Sequence, residues 1–380
     1  MNEEGCPIYL DCNATTPLLP EVADAMIPYL REHFGNPSSG HVYGRRARDA
    51  VERARERVAA LVGATPDEIV FTSGGTEANN LAIRGVAESS PRGKHIVTSA
   101  IEHPATAEPC RLLERKGWDV TWLPVNDAGR VRSEPAAAAI DERTVLVTLM
   151  HSNNETGMVQ PVAEVARAAR AAGALVHTDA AQSAGKVSVR VDEFGVDLLS
   201  LAGHKLYAPK GVGALYVRAG TRLAPVLRGA GHERGLRPGT ENVASIVGFG
   251  VACEIARGSL VEEADRVRAL RDVLWEQLSE GVPGLVLNGG SRDRLPNTLN
   301  VRFPDIRGSD VLALAQEVAA STGSACHEAG EHPSAVLAAM GLEPEAALRS
   351  VRLSLGRFTT RDDAVRAARA LVRAHRRAAS

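Results

Sequence analysis

From about residue 69 to residue 216 the chain alternates short apolar runs with stretches of helical spacing, and this alternation restricts its architecture more than any other feature. The apolar runs lie at 69–72, 95–98, 120–123, 145–149, 175–178, 196–201 and 212–216, with helical sequence between several of them, as at 161–172. Each run is too short for a helix and is bounded by turn residues, as expected of a buried strand. Repeated strand-helix-strand units predict an α/β fold with a mostly parallel sheet sandwiched by helices, since parallel neighbours need long crossovers that pack on the sheet faces. Ligands in such sheets bind beyond the carboxyl ends of the strands, so the residues after each run are the candidates for function.

On the N-terminal side, residues 9–17 begin as a short strand and become a polar turn. Helical spacing follows at 20–33 (Val22, Met26, Leu30), and Gly35-Asn36-Pro37 stops it. A longer amphipathic helix at 43–61 carries Ala47, Val51, Val58 and Leu61 on one side and is closed by Gly63. Beyond the alternating block, the Gly- and Arg-rich segment 228–240 is too polar for a core and reads as an ordered functional loop. Helical sequence interrupted at Gly258 runs from about 242 to 278, and strand-like runs at 295–301 and 352–355 indicate a smaller C-terminal α+β domain. The change between the two parts falls near 255–265.

Several classes are disfavoured by composition. The 44 basic and 46 acidic residues leave a net charge of −2, so no global field favours nucleic acid or membrane. No run approaches the roughly 18 apolar residues of a spanning helix. The start, Met1-Asn2-Glu3-Glu4-Gly5, has no basic or apolar leader segment, and a cytoplasmic protein is expected. Five cysteines (6, 12, 110, 253, 326) without a Cys-x-x-Cys pair argue against a disulfide framework or a metal site, and each reads first as a small buried hydrophobe.

Only five of the 44 basic residues are lysines (94, 116, 186, 205, 210), leaving 39 arginines, so a task that demands an amine has few holders. The stretch Leu198-Leu199-Ser200-Leu201-Ala202-Gly203-His204-Lys205 delivers Lys205 from a strand into a turn. Burial there would lower the amine's pKa and leave it able to attack a carbonyl and form a Schiff base. Taken alone, a surface lysine with its stem along apolar neighbours is the plainer reading. Its company changes that. Ser73-Gly74-Gly75-Thr76 stands where a strand meets a helix N-terminus and suits a phosphate, although glycines there are commonly plain turn residues and the Gly-x-Gly-x-x-Gly spacing is missing. His103 ends the next strand, and Asp179 sits at the tip of an apolar strand, where an ionised acid needs a cationic partner or serves as a helix cap. Phosphate cradle, imidazole, acid for a ring nitrogen and amine together describe a site for pyridoxal 5′-phosphate (PLP).

The motifs Leu10-Asp11-Cys12-Asn13-Ala14-Thr15-Thr16-Pro17, Phe71-Thr72-Ser73-Gly74-Gly75-Thr76-Glu77, His151-Ser152-Asn153-Asn154-Glu155-Thr156-Gly157, His177-Thr178-Asp179-Ala180-Ala181-Gln182, Gly203-His204-Lys205, Arg237-Pro238-Gly239-Thr240-Glu241-Asn242 and Gly323-Ser324-Ala325-Cys326 occur in this order. Over about residues 8 to 365 the chain closely resembles cysteine desulfurases of the NifS/IscS type, which are fold-type I, class V aminotransferase-like enzymes. The resemblance implies an N-terminal segment at 1–20 belonging to a small domain, a large PLP-binding domain at 21–258 and a small α+β domain at 259–380 carrying a catalytic cysteine loop. It implies that Lys205 links the cofactor and moves the Cα proton, and that His103 stacks on the ring and assists. Asp179 would pair with the pyridine nitrogen and Gln182 with the phenolic oxygen. Gly75, Thr76 and His204 would hold the phosphate, with Thr240 reaching in from the second subunit of a homodimer. Asn13, Asn154 and Arg352 would hold the substrate, Arg352 by its bidentate fork, and Asn154 would contact the cofactor as well. Cys326 would take sulfur from L-cysteine as a persulfide, release L-alanine, and pass the sulfur to an acceptor protein.

Two departures from the family pattern stand out. Ala202 occupies a position that is often a phosphate-binding serine, and His327-Glu328 follows Cys326 where many relatives have Thr-Ser. His327 would lower the thiol pKa from its usual value of about 8.5. The Cys-His pair also resembles selenocysteine lyases and the desulfurases of DNA phosphorothioation, the DndA type. Iron–sulfur assembly, tRNA thiolation and DNA phosphorothioation remain open as destinations for the sulfur, with a lean toward the last. A selenocysteine lyase, an aminotransferase without persulfide chemistry and a catalytically silent scaffold are the alternatives.

Overall fold

The computed structural model describes residues 6–91, 93–290, 292–322 and 333–379. The chain opens with β1 (Ile8–Tyr9), α1 (Pro20–Arg31) and α2 (Val42–Val62). Helix α2 starts where the His41 ring accepts from Gly44 N and ends at Gly63, whose φ of 75° lets the chain turn out of the helix. The alternating block follows as β2 (Ile69–Thr72), α3 (Gly75–Ser89), β3 (His95–Ser99), α4 (Pro104–Arg115), β4 (Asp119–Leu123), α5 (Ser133–Ala138), β5 (Thr144–Thr148), α6 (Val162–Ala171), β6 (Leu175–Asp179), α7 (Val191–Phe194), β7 (Leu198–Ala202) and β8 (Gly213–Val217). Its strands form one seven-stranded sheet in the order β2-β8-β7-β6-β5-β3-β4. Only β8 runs against the rest, being antiparallel to both β2 and β7. The carboxyl ends of β2, β3, β5, β6 and β7 therefore meet on one edge.

Strands β2, β3, β5 and β7 are buried along their whole length, which is why they read as continuous apolar runs rather than alternating ones. The short helix α5 was not legible in the sequence, being barely more than one turn long.

Helices α8 (Val243–Gly258) and α9 (Leu260–Gly281) meet at Ser259 with a bend of 76°. Among the described residues no single helix is long and apolar enough to cross a membrane. Helix α8 lies so close to α2 that a Cβ on Gly250 would stand 2.7 Å from Ala54 Cα. The remaining elements are β9 (Val286–Leu287), β10 (Thr298–Arg302), α10 (Gly308–Leu314), β11 (Val318–Ala319), α11 (Ala335–Ala339), α12 (Pro344–Leu348), β12 (Ser350–Ser354) and α13 (Arg361–Ala378). Strands β12, β10 and β9 make an antiparallel sheet.

Separate apolar cores serve the two sheets. Phe249 and Ile246 of α8 belong to the core of the large sheet, with Val147, Val176 and Leu199. Leu270, Leu274 and Leu278 of α9 pack with Leu299, Val351 and Leu371 in the other. Strand β1 joins the second core through Ile8 and Leu10, pairing in parallel with β11. The N-terminal segment thus starts in the core beside the small sheet and reaches the core of the large one at Leu19.

The 228–240 segment departs in one respect from its reading as too polar for a core, because Glu233 is buried and paired with Arg55. Cys6 is exposed rather than buried, whereas Cys12, Cys110 and Cys253 are buried as expected.

Candidate active site

Strand β7 ends at Ala202, and Gly203-His204-Lys205 form a single tight helical turn. A Cβ on Gly203 would lie 2.8 Å from the Val212 side chain, so the turn accepts only glycine there. Lys205 Nζ donates to the carbonyl oxygens of Asn13 (2.5 Å) and Ala14 (2.7 Å). Thr16 brackets the same turn: its hydroxyl donates to His204 O (3.0 Å) and accepts from Tyr207 N (2.8 Å). Tyr207 has a φ of 61°, a strained value for an aromatic residue that these contacts hold in place. The N-terminal segment therefore aims the lysine.

A cavity of about 400 Å3 opens at Lys205 and is lined by Asn13, Gly75, Thr76, His103, Asn154, Asp179, Gln182, Ala202, His204, Lys205 and Arg352, among others. Ten residues singled out in the sequence thus converge from seven separate segments. Thr240 is exposed and does not line this cavity. Cys326 lies outside the described residues.

Asp179 ends β6 with its carboxylate buried; Oδ2 accepts from Asn79 Nδ2 (2.7 Å) and Oδ1 from Ala181 N (2.9 Å). Asn79, on α3, also donates to Thr106 Oγ1 (3.1 Å), so two helices fix the acid. His103 caps α4, its Nδ1 accepting from Ala105 N (3.1 Å). The neutral ring consequently carries its proton on Nε2. Burial, reinforced by the Lys205 amine and opposed by Asp179, lowers the His103 pKa. Beside it, Glu102 accepts from Ser99 Oγ (2.6 Å) and Met150 N (3.0 Å), and burial pushes its carboxyl up to about 8.

Opposite these groups is a small-residue cup. Gly74 has a φ of 148°, open only to glycine, and a Cβ on Gly213 would stand 2.7 Å from Gly74 Cα. A Cβ on Gly75 would lie 3.3 Å from the Ala202 methyl, so any side chain there would fill the cup. The first turn of α3 directs N–H groups into this space. His204 accepts at Nδ1 from the Thr15 hydroxyl (3.2 Å) or donates to it, and burial, with Lys205, Lys210, Lys186 and His103 adding, brings its pKa down to about 4. Glu77 ties the cup to the 228–240 loop, accepting from Ser73 N (2.8 Å) and from Arg237 Nε (2.9 Å). Burial opposes its charge, yet those donors hold the carboxyl below its ordinary pKa.

On the small-sheet side, Arg352 of β12 is buried, with Nη2 on Asp11 Oδ1 (2.6 Å), Nη1 on Asn154 O (3.2 Å) and Nε without a hydrogen-bond partner among the described residues. The Asn13 amide is already committed: Nδ2 donates to Asn154 O and Thr298 Oγ1, and Oδ1 accepts from Asn297 Nδ2. Asn13 therefore shapes the wall that holds Asn154 more than it offers a free amide. Gln182 donates Nε2 to Asn13 O (2.9 Å). The segment that carries Cys326 leaves the described chain just after Ser321, which bridges Arg352, and returns just before Ser334, whose hydroxyl donates to Glu155 Oε2 (2.5 Å).

Asn79, Asp11, Thr16, Glu102 and Lys186 escaped the sequence reading as site residues. Asp11 and Thr16 stood inside a quoted motif and Lys186 was one of five lysines, but nothing local marks Asn79, whose contact with Asp179 spans a hundred positions.

These residues fit PLP. The cup takes an anion without room for a side chain, Asp179 offers a buried, oriented carboxylate to a cationic ring nitrogen, and Lys205 supplies the amine between them. The Ala202 methyl leaves no hydroxyl at that point of the cup, so an anion bound there would meet backbone N–H groups, Thr76 and His204.

The model of the family described as aminotransferase class-V matches residues 8–366. The cysteine desulfurase IscS of Anaeromyxobacter sp. (strain Fw109-5) is 50% identical over 361 residues, covering 94% of this chain and 89% of that protein. Among solved structures, a NifS-like protein superposes with a TM-score of 0.91 at 38% identity, covering 97% of this chain and 98% of its own. SspA in complex with cysteine gives 0.83 at 39% identity, covering 93% and 99%. A family match spanning nearly the whole chain, on the fold and cavity just described, makes this protein a member of the class-V aminotransferase family.

Proposed function

We propose that this protein is a cysteine desulfurase: a PLP-dependent enzyme that takes sulfur from L-cysteine, releases L-alanine and carries the sulfur as a persulfide on Cys326. The likeness to IscS enzymes at about half identity over nearly the full chain supports the activity, and the cavity chemistry supports the cofactor. The observation that supports the role of Cys326 is that the described residues flanking 323–332 are held near the cavity: Ser321 bridges Arg352, which lines it, and Ser334 donates to Glu155, the neighbour in sequence of the lining residue Asn154.

The bound cofactor supplies an electron sink that makes the substrate Cα proton acidic and the Cβ–S bond labile. Asp179 stabilises positive charge at the ring nitrogen, and Asn79 and Ala181 N keep its carboxylate aimed. Lys205 Nζ takes the Cα proton and returns it, and the His103 Nε2–H donates into the same space. Arg352 binds the substrate carboxylate with Asn154 beside it; the Asp11 contact on Nη2 and the Asn154 carbonyl on Nη1 set the direction of the fork. The Cys326 thiolate attacks the substrate sulfur. An S–S bond forms, the Cβ–S bond breaks, and its electron pair stays on the three-carbon fragment, which gains a C–H bond and leaves as alanine. The sum is cysteine plus Cys326 thiol giving alanine plus Cys326 persulfide, with no outside oxidant.

The domain division proposed is 1–20 with 259–380 around the small sheet and 21–258 around the large one, supported by the separate cores. The working unit proposed is a homodimer in which Thr240 serves the other subunit's phosphate. Exposed Leu30, Phe34, Val42 and Tyr43, with Phe34 and Tyr43 stacked at 5.6 Å, form an apolar group that a second copy would cover. The persulfide passes to an acceptor protein, with the enzyme in the cytoplasm.

The test is Cys326→Ser. The variant is expected to keep the cofactor's visible absorption and to lose persulfide formation and cysteine-dependent alanine release, read by alkylation with mass spectrometry and by amino-acid analysis. Wild-type alanine output in Cys326→Ser removes the assignment. Alanine that appears only with an added 2-oxo acid makes the protein an aminotransferase instead.

A further inference from the structure

Three of the five lysines, Lys94, Lys116 and Lys210, are exposed. The other two, Lys205 and Lys186, line one small cavity of about 40 Å3, with Tyr207, Asn297 and Glu263 in its walls. The reaction as derived uses Lys205 and leaves Lys186 without a task. In a chain that otherwise places arginine where it needs a cation, a second inward lysine is not explained by composition.

Its contacts suggest the reason. Lys186 Nζ donates to Gln182 O (2.9 Å) and to Gln182 Oε1 (3.2 Å). The other end of the same amide, Nε2, donates to Asn13 O (2.9 Å), and that oxygen also accepts from Lys205 Nζ (2.5 Å). The two amines are thus joined through one amide and one carbonyl. Reversing the Gln182 amide would turn its NH2 group toward the Lys186 ammonium and its oxygen toward the Asn13 carbonyl. Two hydrogen bonds would become two contacts between like partial charges.

We propose that Lys186 is a positioning residue that locks Gln182 with its amide nitrogen facing the Lys205 side and, when protonated, places a second positive charge beside the Lys205-linked cofactor, lowering the pH at which that linkage loses its proton. The proposal rests on the PLP reading of the cavity. The titratable and charged groups facing Lys186 among the described residues are Lys205, His204 and Tyr207 around the turn after β7, Cys12 from the N-terminal segment, Arg352 from β12, Arg357 just beyond β12 and Glu263 from α9. Burial is the largest influence on it; Lys205 and Arg352 add to the effect, Cys12 opposes it, and the Lys186 pKa falls to about 7. Burial and the neighbouring cations therefore weaken the hold of Lys186 on its proton, as they would not for an exposed amine. An arginine in its place would stay charged throughout.

The test is a pH titration of the visible absorption of the cofactor-loaded protein, wild type against Lys186→Met, which matches the length of the side chain but has neither charge nor donor. With Gln182 unlocked and the charge removed, the midpoint should rise by about one unit. Lys186→Gln, uncharged but polar, should shift it in the same direction and replaces the methionine variant should that one not fold. A midpoint unchanged in a folded, cofactor-bound variant overturns the proposal. Wild-type protein that shows no lysine-linked cofactor band at any pH overturns instead the reading of the cavity on which it rests.

Discussion

The loop at 228–240 is pinned by one buried ion pair, and breaking that pair should cost more than any surface change. The Arg55 and Glu233 side chains are 5% and 3% exposed. The Glu233 carboxylate accepts from Arg55 Nη2 (2.7 Å), Arg55 Nη1 (2.8 Å) and Phe71 N (2.7 Å), while the guanidinium sits 4.8 Å from the Phe71 ring centroid. Burial opposes the charge on Arg55, but Glu233 outweighs it and holds the guanidinium protonated. The pair also keeps a strained backbone in place: Glu233 and Arg234 have φ of 45° and 56°, and non-glycine residues in that region cost about 1–2 kcal/mol each. Glu233→Gln would leave the Arg55 charge buried with, among the described residues, the Ile69 carbonyl and the exposed carboxylate of Glu52 as its partners. Removing one member of such a pair costs about 3–5 kcal/mol. At about 2 °C per kcal/mol for a large chain, the melting temperature should drop by roughly 6–10 °C. The assay is calorimetric unfolding of the cofactor-loaded wild type, Glu233→Gln, Arg55→Met and the double variant. The double variant should recover part of the loss, because no lone charge is then buried. A drop below about 1 kcal/mol in Glu233→Gln, or strict additivity in the double variant, would refute the reasoning.

Burial raises the Glu102 carboxyl from 4.5 to about 8, so the folded state holds a proton that the unfolded chain has released. Its contribution to stability is complete below about pH 4.5 and is lost as the pH rises through about 8. Glu102→Gln should therefore flatten the fall in melting temperature across that window, and parallel curves for the two proteins would exclude the effect. Phe34→Glu should convert the proposed homodimer to a monomer, measured by light scattering at micromolar concentration, because Phe34 is 75% exposed in a single chain and would place a charge within the apolar group proposed to be covered. A variant that dimerises as tightly as wild type would move the interface elsewhere.

Much of the site was legible because its chemistry is concentrated at strand ends. Asp179 closes β6, Lys205 follows β7 by a single turn and Gly75 opens α3, so the period of the apolar runs already put them on one edge. Lys205 was further marked by the scarcity of lysine, and the named roles came from resemblance rather than from spacing. What could not be read were contacts between segments far apart in sequence. The Asn79 bond that orients Asp179, the Asp11 bond that turns Arg352, and the Thr16 bracket around Lys205 each join groups separated by a hundred residues or more. Glu233 was misjudged for the same reason: a carboxylate looks unfit for a core until the arginine that neutralises it is brought within 2.7 Å.

By itself the sequence determined the strands of the large sheet, the edge where candidate groups gather and the candidate amine, because periodicity, turn residues and residue scarcity are local properties of the chain. Tertiary structure alone decided which way each functional group points. The N-terminal segment folds back across the large sheet to aim Lys205, and Lys186 and Gln182 close a hydrogen-bonded path to the same carbonyl. Orientation of a side chain depends on partners that only a folded chain brings within hydrogen-bond distance.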